Sequence, residues 1–153
     1  IIKSKLDNQL KIIGKNKKLE KDATQLIKET LRFQVPEIIE NSKHAIKGVN
    51  FIVHQFQDLD IDLLRSASDI FIDKLSRHSV IFLASSQGLF IMRVTKDLKD
   101  KINASVILND ILKPLGGSGG GRSDFAQGGI KDTQKIDAVF KKAKEVIKKI
   151  LSK

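Results

Sequence analysis

A chain of 153 residues with 41% hydrophobic and 30% charged side chains accommodates one medium domain, or a small domain with an appendage, and excludes a disordered polyelectrolyte. No apolar stretch approaches the roughly 20 residues of a membrane-spanning helix, no signal-peptide pattern is visible, and the absence of cysteine excludes disulfides and cysteine-ligated zinc. The net charge of +10 is carried by the two ends: residues 1–50 hold 11 Lys and Arg against 6 acids, residues 51–130 hold 9 against 9, and residues 131–153 hold 8 against 3. Two basic segments around a neutral middle predict one or two faces that attract a polyanion, nucleic acid ahead of an anionic membrane surface. The first residues are Ile1-Ile2 rather than Met, so the chain is expected to be part of a longer protein.

Residues 2–33 read as a long helix, with Ile2, Leu6, Leu10, Ile13, Leu19, Ala23, Leu26, Ile27 and Leu31 at mostly three- and four-residue spacing. Gly14 to Lys18 interrupts that stripe. Pro36 disfavours the α region at Val35 and suits a first helical turn, so a second helix is expected from Glu37 to about Lys47. The two form a helical arm or hairpin over residues 1–48, packed on itself, on the body or on another copy. Phe51 to Phe56 is apolar and β-branched between turn residues and reads as a strand. Ile61 to Leu75 is helical, with Asp60 as N-cap and Leu64, Ala67, Ile70, Phe71 and Leu75 facing inward. Val80–Ala84 and Leu89–Val94 read as two strands of a hairpin turning through Ser85 to Gly88. Ala104 to Leu112 is a short helix, and Asp132 to Leu151 a longer one with Ile136, Val139, Phe140, Ala143, Ile147, Ile150 and Leu151 in one stripe. The expected fold is α+β: the arm, then a globular body over residues 49–153 with a small mixed sheet covered by helices.

Between the last two helices, Gly116 to Gly129 holds seven of the ten glycines. Read as a loop, this run brings backbone N–H groups close to an anion, and Arg122 adds a planar charged fork suited to phosphate. A flexible linker is the alternative, but only residues 130–153 follow it, too few for a second self-sufficient domain. Gly116 to Ser123 also comes within one residue of the nucleotide-binding G-x-x-x-x-G-K-[ST] pattern. That motif needs a strand before it and a helix opening at its Lys, whereas here a helix and Pro114 precede it and Arg122 replaces the Lys. His44, His54 and His78 lie in different elements without metal-ligand spacing, and Asp58, Asp60 and Asp62 lack the glycine and distal glutamate of a cation loop. No catalytic or metal-ligating set is expected.

The string G-G-x-G-G-G-R-x-D-x-A-Q-G-G, set between a short helix and a basic final helix, closely resembles the C-terminal domain of alanyl-tRNA synthetase. The upstream order of charged helix, strand, helix and two strands ending near Val94-Thr95-Lys96-Asp97-Leu98 fits as well, so the resemblance covers nearly the whole chain. The same module accompanies the catalytic domain of DHH-type phosphoesterases. Three departures stand out. The family usually has proline at the Ser123 position, often Met at Phe125 and frequently Lys at Ser118. Ser123 is expected to leave the turn less rigid, and the missing Lys to shift affinity onto Arg122 and the flanking lysines.

The resemblance implies a non-catalytic, cytoplasmic appendage of alanine–tRNA ligase that binds the outer corner of tRNA, expected to be tRNA(Ala), and so assists aminoacylation and editing of one tRNA. Its other partners would be the remaining domains of the synthetase, and a second copy through residues 2–33. It implies no cofactor in these residues, with ATP, magnesium and zinc used only by other domains. The expected contact set is Gly119, Gly120 and Gly121 through their amides, Arg122 as phosphate clamp, Gln127, and Lys141, Lys142, Lys148 and Lys149. Each lysine is also consistent with a merely solvated helix face, as are Lys11, Lys15, Lys17 and Lys18 on the arm. Asp124 is expected to cap loop amides or orient Arg122, and Phe125 to plug the core rather than stack on a base. The alternatives are the substrate-binding domain of a DHH-type phosphoesterase and a dimerisation module whose charge is incidental.

Overall fold

Among the described residues the chain folds into four α-helices and six strands. The structure, a computed structural model, describes residues 2–46 and 48–151, and the side chains from residue 22 onward apart from 43 and 44. In order they are α1 (Ile2–Ser42), β1 (Lys43–Ile46), β2 (Val49–Phe56), α2 (Ile61–Leu75), β3 (Ser79–Ser85), β4 (Leu89–Val94), α3 (Ala104–Leu112), β5 (Ser118–Gly121), β6 (Phe125–Gly129) and α4 (Ile136–Leu151). Hydrophobic periodicity accounts for α2, α3, α4, β2, β3 and β4. Among the described residues the strands form one sheet in the order β1-β2-β3-β4-β6-β5. β2 and β3 run parallel, joined by α2 as the crossover, and the other neighbours are antiparallel.

The centre of the sheet is buried on both sides. Val80, Phe82 and Ala84 of β3 point to one face and Ile81 and Leu83 to the other, all fully buried, as expected of a central strand without a polar side. On the first face α3 and α4 supply Ile107, Leu108, Ile111, Leu112, Val139, Ala143 and Ile147. The ring of Phe140 meets those of Phe82 and Phe90 at 5.8 and 6.4 Å in edge-on contacts. On the second face α1 and α2 supply Leu31, Val35, Ile39, Leu63, Leu64, Ala67 and Phe71 against Ile52, Phe56 and Ile91. Asp60 caps α2 as its sequence predicts, its Oδ1 accepting from the amide of Leu63 at 2.8 Å.

Two expectations about the first 48 residues are corrected. The arm is one helix, not a helical pair: α1 runs through Pro36 to Ser42. Pro36 leaves the Arg32 carbonyl without an intrahelical donor. It stands exposed, however, while Leu31, Val35 and Ile39 form an i, i+4, i+8 stripe buried against the second face. Packing of that stripe outweighs the local preference of the residue before proline. The expected helix end at 43–47 is instead β1, which pairs with β2 in a hairpin running from Lys43 opposite Ile52 to Ile46 opposite Val49. Gly48, at φ +84°, supplies a left-handed residue for its turn. Lys11, Lys15, Lys17 and Lys18 have side chains outside the described residues.

Candidate nucleic-acid interface

The glycine run is a β-hairpin on the edge of the sheet, not a loop. β5 and β6 pair from Ser118 opposite Gly129 to Gly121 opposite Ala126, and β6 pairs with β4. Glycine has poor strand propensity, but the hairpin is fastened by neighbours. Its tip closes with the Arg122 amide donating to the Phe125 carbonyl at 2.7 Å. The Ser123 carbonyl accepts from Ala104 at 2.8 Å, and the Asp124 carbonyl from Val94 at 2.9 Å, tying the tip to α3 and β4. At the base, Gly117 donates to the Leu112 carbonyl at 2.9 Å.

This pairing alters what the glycine amides can do. In an antiparallel ladder, alternate residues turn their N–H toward and away from the partner strand. Because Arg122 donates to Phe125, the same parity directs the Gly120 amide into the ladder and those of Gly119 and Gly121 away from it. The Gly119 amide then meets the Asn109 side chain of α3, Oδ1 at 3.4 Å. The expectation that Gly119, Gly120 and Gly121 together offer amides to phosphate is therefore corrected. Two of the three have protein acceptors, and Gly121 alone has its N–H turned outward without one among the described residues.

Arg122 projects from the tip with its side chain 77% exposed, its Nε 3.7 Å from Oδ1 of Asp124. Asp124 is thus placed beside Arg122 as an ion-pair partner. Gln127 lies on the second face of the sheet, where its Oε1 accepts from Arg65 Nη2 of α2 at 2.8 Å. Phe125 is half-buried on that same face, packed against the α2 side of the core, with the Arg93 guanidinium 5.4 Å above its ring. Arg93 in turn pairs with Asp69 of α2 and donates to Ser68 Oγ at 3.3 Å. Arg65 and Arg93 were missed by the sequence reading. They stand in other elements, and only the register of β4 and β6 beneath α2 brings them to the hairpin. Beside the tip a groove of about 470 Å³ is lined by Arg77, Arg93 and Lys96 and by Asp73, Asp97 and Asp124. Ser76 and His78, at φ +59° and +50°, flank Arg77 with backbone conformations uncommon for residues other than glycine.

The four lysines expected to join this set lie elsewhere. α4 covers the first face, whereas Gln127, Phe125, Arg65 and Arg93 gather on the second. Lys141, Lys148 and Lys149 are exposed on α4 and Lys142 is half-buried. The structure therefore separates a lysine-bearing helix from an arginine-rimmed hairpin, with α3 and the edge of the sheet between them. His78 pairs with Asp97, Nδ1 to Oδ2 at 2.8 Å. Among the described residues no cluster of His, Asp or Glu could hold a metal ion, and no helix is long and apolar enough to cross a membrane.

Comparison with known proteins places this architecture. Residues 48–149 match the DHHA1 domain family. The alanine–tRNA ligase of Clostridioides difficile is 35% identical over 96% of the chain, and that of Natranaerobius thermophilus 33% identical over 91%. The chain spans only 17% and 16% of those proteins. Among solved structures, the C-Ala domain of Aquifex aeolicus alanyl-tRNA synthetase matches with a TM-score of 0.62 and 31% identity, over 72% of this chain and 98% of that domain. RecJ of Thermus thermophilus shares the fold, with a TM-score of 0.58 at 17% identity over 82% of this chain and 18% of RecJ. By sequence and by fold, the chain belongs to the DHHA1 family, in the branch formed by the C-terminal, or C-Ala, domain of alanyl-tRNA synthetases.

Proposed function

We propose that this domain is the tRNA-binding appendage of an alanine–tRNA ligase, non-catalytic itself. It engages the outer corner of tRNA so that aminoacylation and editing act on one molecule, tRNA(Ala). The observation that carries the reading is the Gly119-Gly120-Gly121-Arg122 edge with its exposed guanidinium, in a chain related over almost its whole length to that ligase. RNA helices are read mainly through shape, phosphate and 2′-hydroxyl contacts, which suits Arg and Lys on a rigid edge. Binding is expected to weaken steeply with salt, and Arg122→Ala to weaken it at every salt concentration while reducing the salt slope by about one phosphate contact. Fluorescence anisotropy of labelled tRNA across a salt series tests this. An Arg122→Ala variant matching the parent in affinity and slope removes Arg122 from the interface.

A contribution to self-association through residues 2–33 is favoured by the exposed Leu26, Ile27 and Phe33 on α1. The phosphoesterase reading has no comparable support, because the likeness to RecJ extends to the fold alone.

A further inference from the structure

Six of the seven glycines between Gly116 and Gly129 have an internal reason to lack a side chain. Gly116 sits at φ +83°, in the left-handed region. A Cβ on Gly117 would run into the Gly129 carbonyl oxygen, and one on Gly121 into that of Phe125. On Gly128 it would lie 2.5 Å from the Ser118 oxygen, on Gly119 3.0 Å from Leu108 Cγ, and on Gly129 3.1 Å from the Gly88 oxygen. Gly120 differs. Its φ lies outside the left-handed region, and a Cβ built there meets no heavy atom of the described residues within 4 Å. A glycine inside a strand weakens it relative to almost any other residue, so nothing among the described residues accounts for Gly120. The remaining reason is external: a partner that approaches the backbone more closely than a Cβ allows.

The surroundings of Gly120 describe that partner. Gly120 stands opposite Gln127 in the ladder, so both open on the α2 side of the hairpin. Gln127 already uses its Oε1 to accept from Arg65, which leaves its amide NH₂ to offer. Arg65 is 45% exposed, and Arg122 follows at the tip. Asp62 and Asp124 lie 3.9 and 3.7 Å from these arginines, so charge at the spot is nearly balanced. Fit and hydrogen bonding, more than attraction, select what lies there. A bare backbone floor rimmed by planar donors complements a narrow, acceptor-rich edge. The ribose-phosphate backbone of RNA is such an edge, with phosphate and 2′-hydroxyl oxygens along its length.

We infer that Gly120, with Arg65 and Gln127, forms the close-contact seat for an RNA ribose-phosphate backbone on the α2 side of the β5–β6 hairpin. This rests on the RNA-binding reading above and extends it in two ways. It assigns Gly120 a steric role in place of an amide contact, and it adds Arg65 from an element 62 residues earlier.

The test compares labelled tRNA binding and thermal unfolding of the 153-residue chain with those of Gly120→Ala, Gly120→Val and Arg65→Ala. An alanine methyl lifts the RNA by roughly 1.5 Å, one carbon–carbon bond. Gly120→Ala is expected to weaken binding about tenfold, and Gly120→Val further, with the melting temperature of the parent retained. Arg65→Ala is expected to weaken binding comparably, and being exposed it keeps the test open if either glycine variant expresses poorly. Folded Gly120→Ala and Gly120→Val variants that bind like the parent overturn the seat. So does a Gly120→Ala variant that melts well below the parent, since that exposes an internal need for glycine. A parent chain that binds no tRNA overturns the RNA-binding reading itself, an outcome distinct from the other two.

Discussion

Gly128→Ala should loosen the whole edge of the domain, and its cost can be worked from three contacts. The new Cβ would lie 2.5 Å from the Ser118 carbonyl oxygen, 2.8 Å from Gly119 Cα and 2.7 Å from Leu112 Cδ1. Ordinary contact for a Cβ begins near 3.4 Å, so each separation must grow by more than half an ångström. Leu112 can turn part of the way, but the other two obstacles are backbone on the partner strand. Relief therefore requires β5 to move off β6, and with it the packing of Leu108 and Leu112, both fully buried. Inserting a methyl group into a close-packed site costs about 1–3 kcal/mol, and a clash against backbone belongs at the upper end. For a chain of this size about 3 kcal/mol corresponds to a fall of roughly 6–12 °C in Tm. Urea denaturation followed by circular dichroism measures the loss directly. If Gly128→Ala unfolds within about 0.5 kcal/mol of the parent, the proposed closeness of α3, β5 and β6 is not what excludes a side chain there.

The remaining predictions concern His54 of β2 and the exposed face of α1. Burial holds the His54 imidazole below its ordinary pKa of 6.5, so the unfolded chain takes up the proton first as pH falls. The stability His54 contributes is complete above 6.5 and declines as pH drops toward its lower folded value. His54→Gln should therefore flatten the loss of stability on that acid side, and an unchanged pH profile by urea denaturation contradicts the assignment. Leu26 and Phe33 are 64% and 85% exposed on α1. If this face joins two copies, sedimentation equilibrium should show a concentration-dependent dimer that Leu26→Glu with Phe33→Glu abolishes. A parent that is monomeric throughout refutes that role.

Most elements of the body were legible because local and tertiary signals agree in them. α2 has an N-cap aspartate and a clear apolar stripe. β3 and β4 are apolar runs broken by Ser85 to Gly88, and α3 is bounded as its sequence suggests. Legibility failed where packing overrides a local rule. Pro36 argues for a helix boundary, but Leu31, Val35 and Ile39 are worth more buried along one continuous helix than divided between two. β1 was hidden because Lys43 to Ile46 carries little strand signal of its own; the informative residue was Gly48, at the turn before β2. The glycine run failed in a different way. Its composition speaks of conformational freedom, whereas six of its glycines answer to left-handed backbone or close packing, which only the folded neighbours reveal. In the candidate site, Arg122, Asp124 and Gln127 were legible from their motif. Arg65 and Arg93 were not, because a contact across 62 residues leaves no trace in local spacing.

The separation of α4 from the hairpin carries a kinetic consequence for any polyanion this domain meets. Lysines on the first face of the sheet raise the local potential and speed encounter, but encounter guided by them does not select the second face. If the proposed seat holds, the charge-balanced hairpin adds little to that pull and acts only after the two surfaces touch, by setting how long they stay together. On the proposed reading, capture and retention would fall to opposite sides of one sheet, so each could change in evolution without disturbing the other.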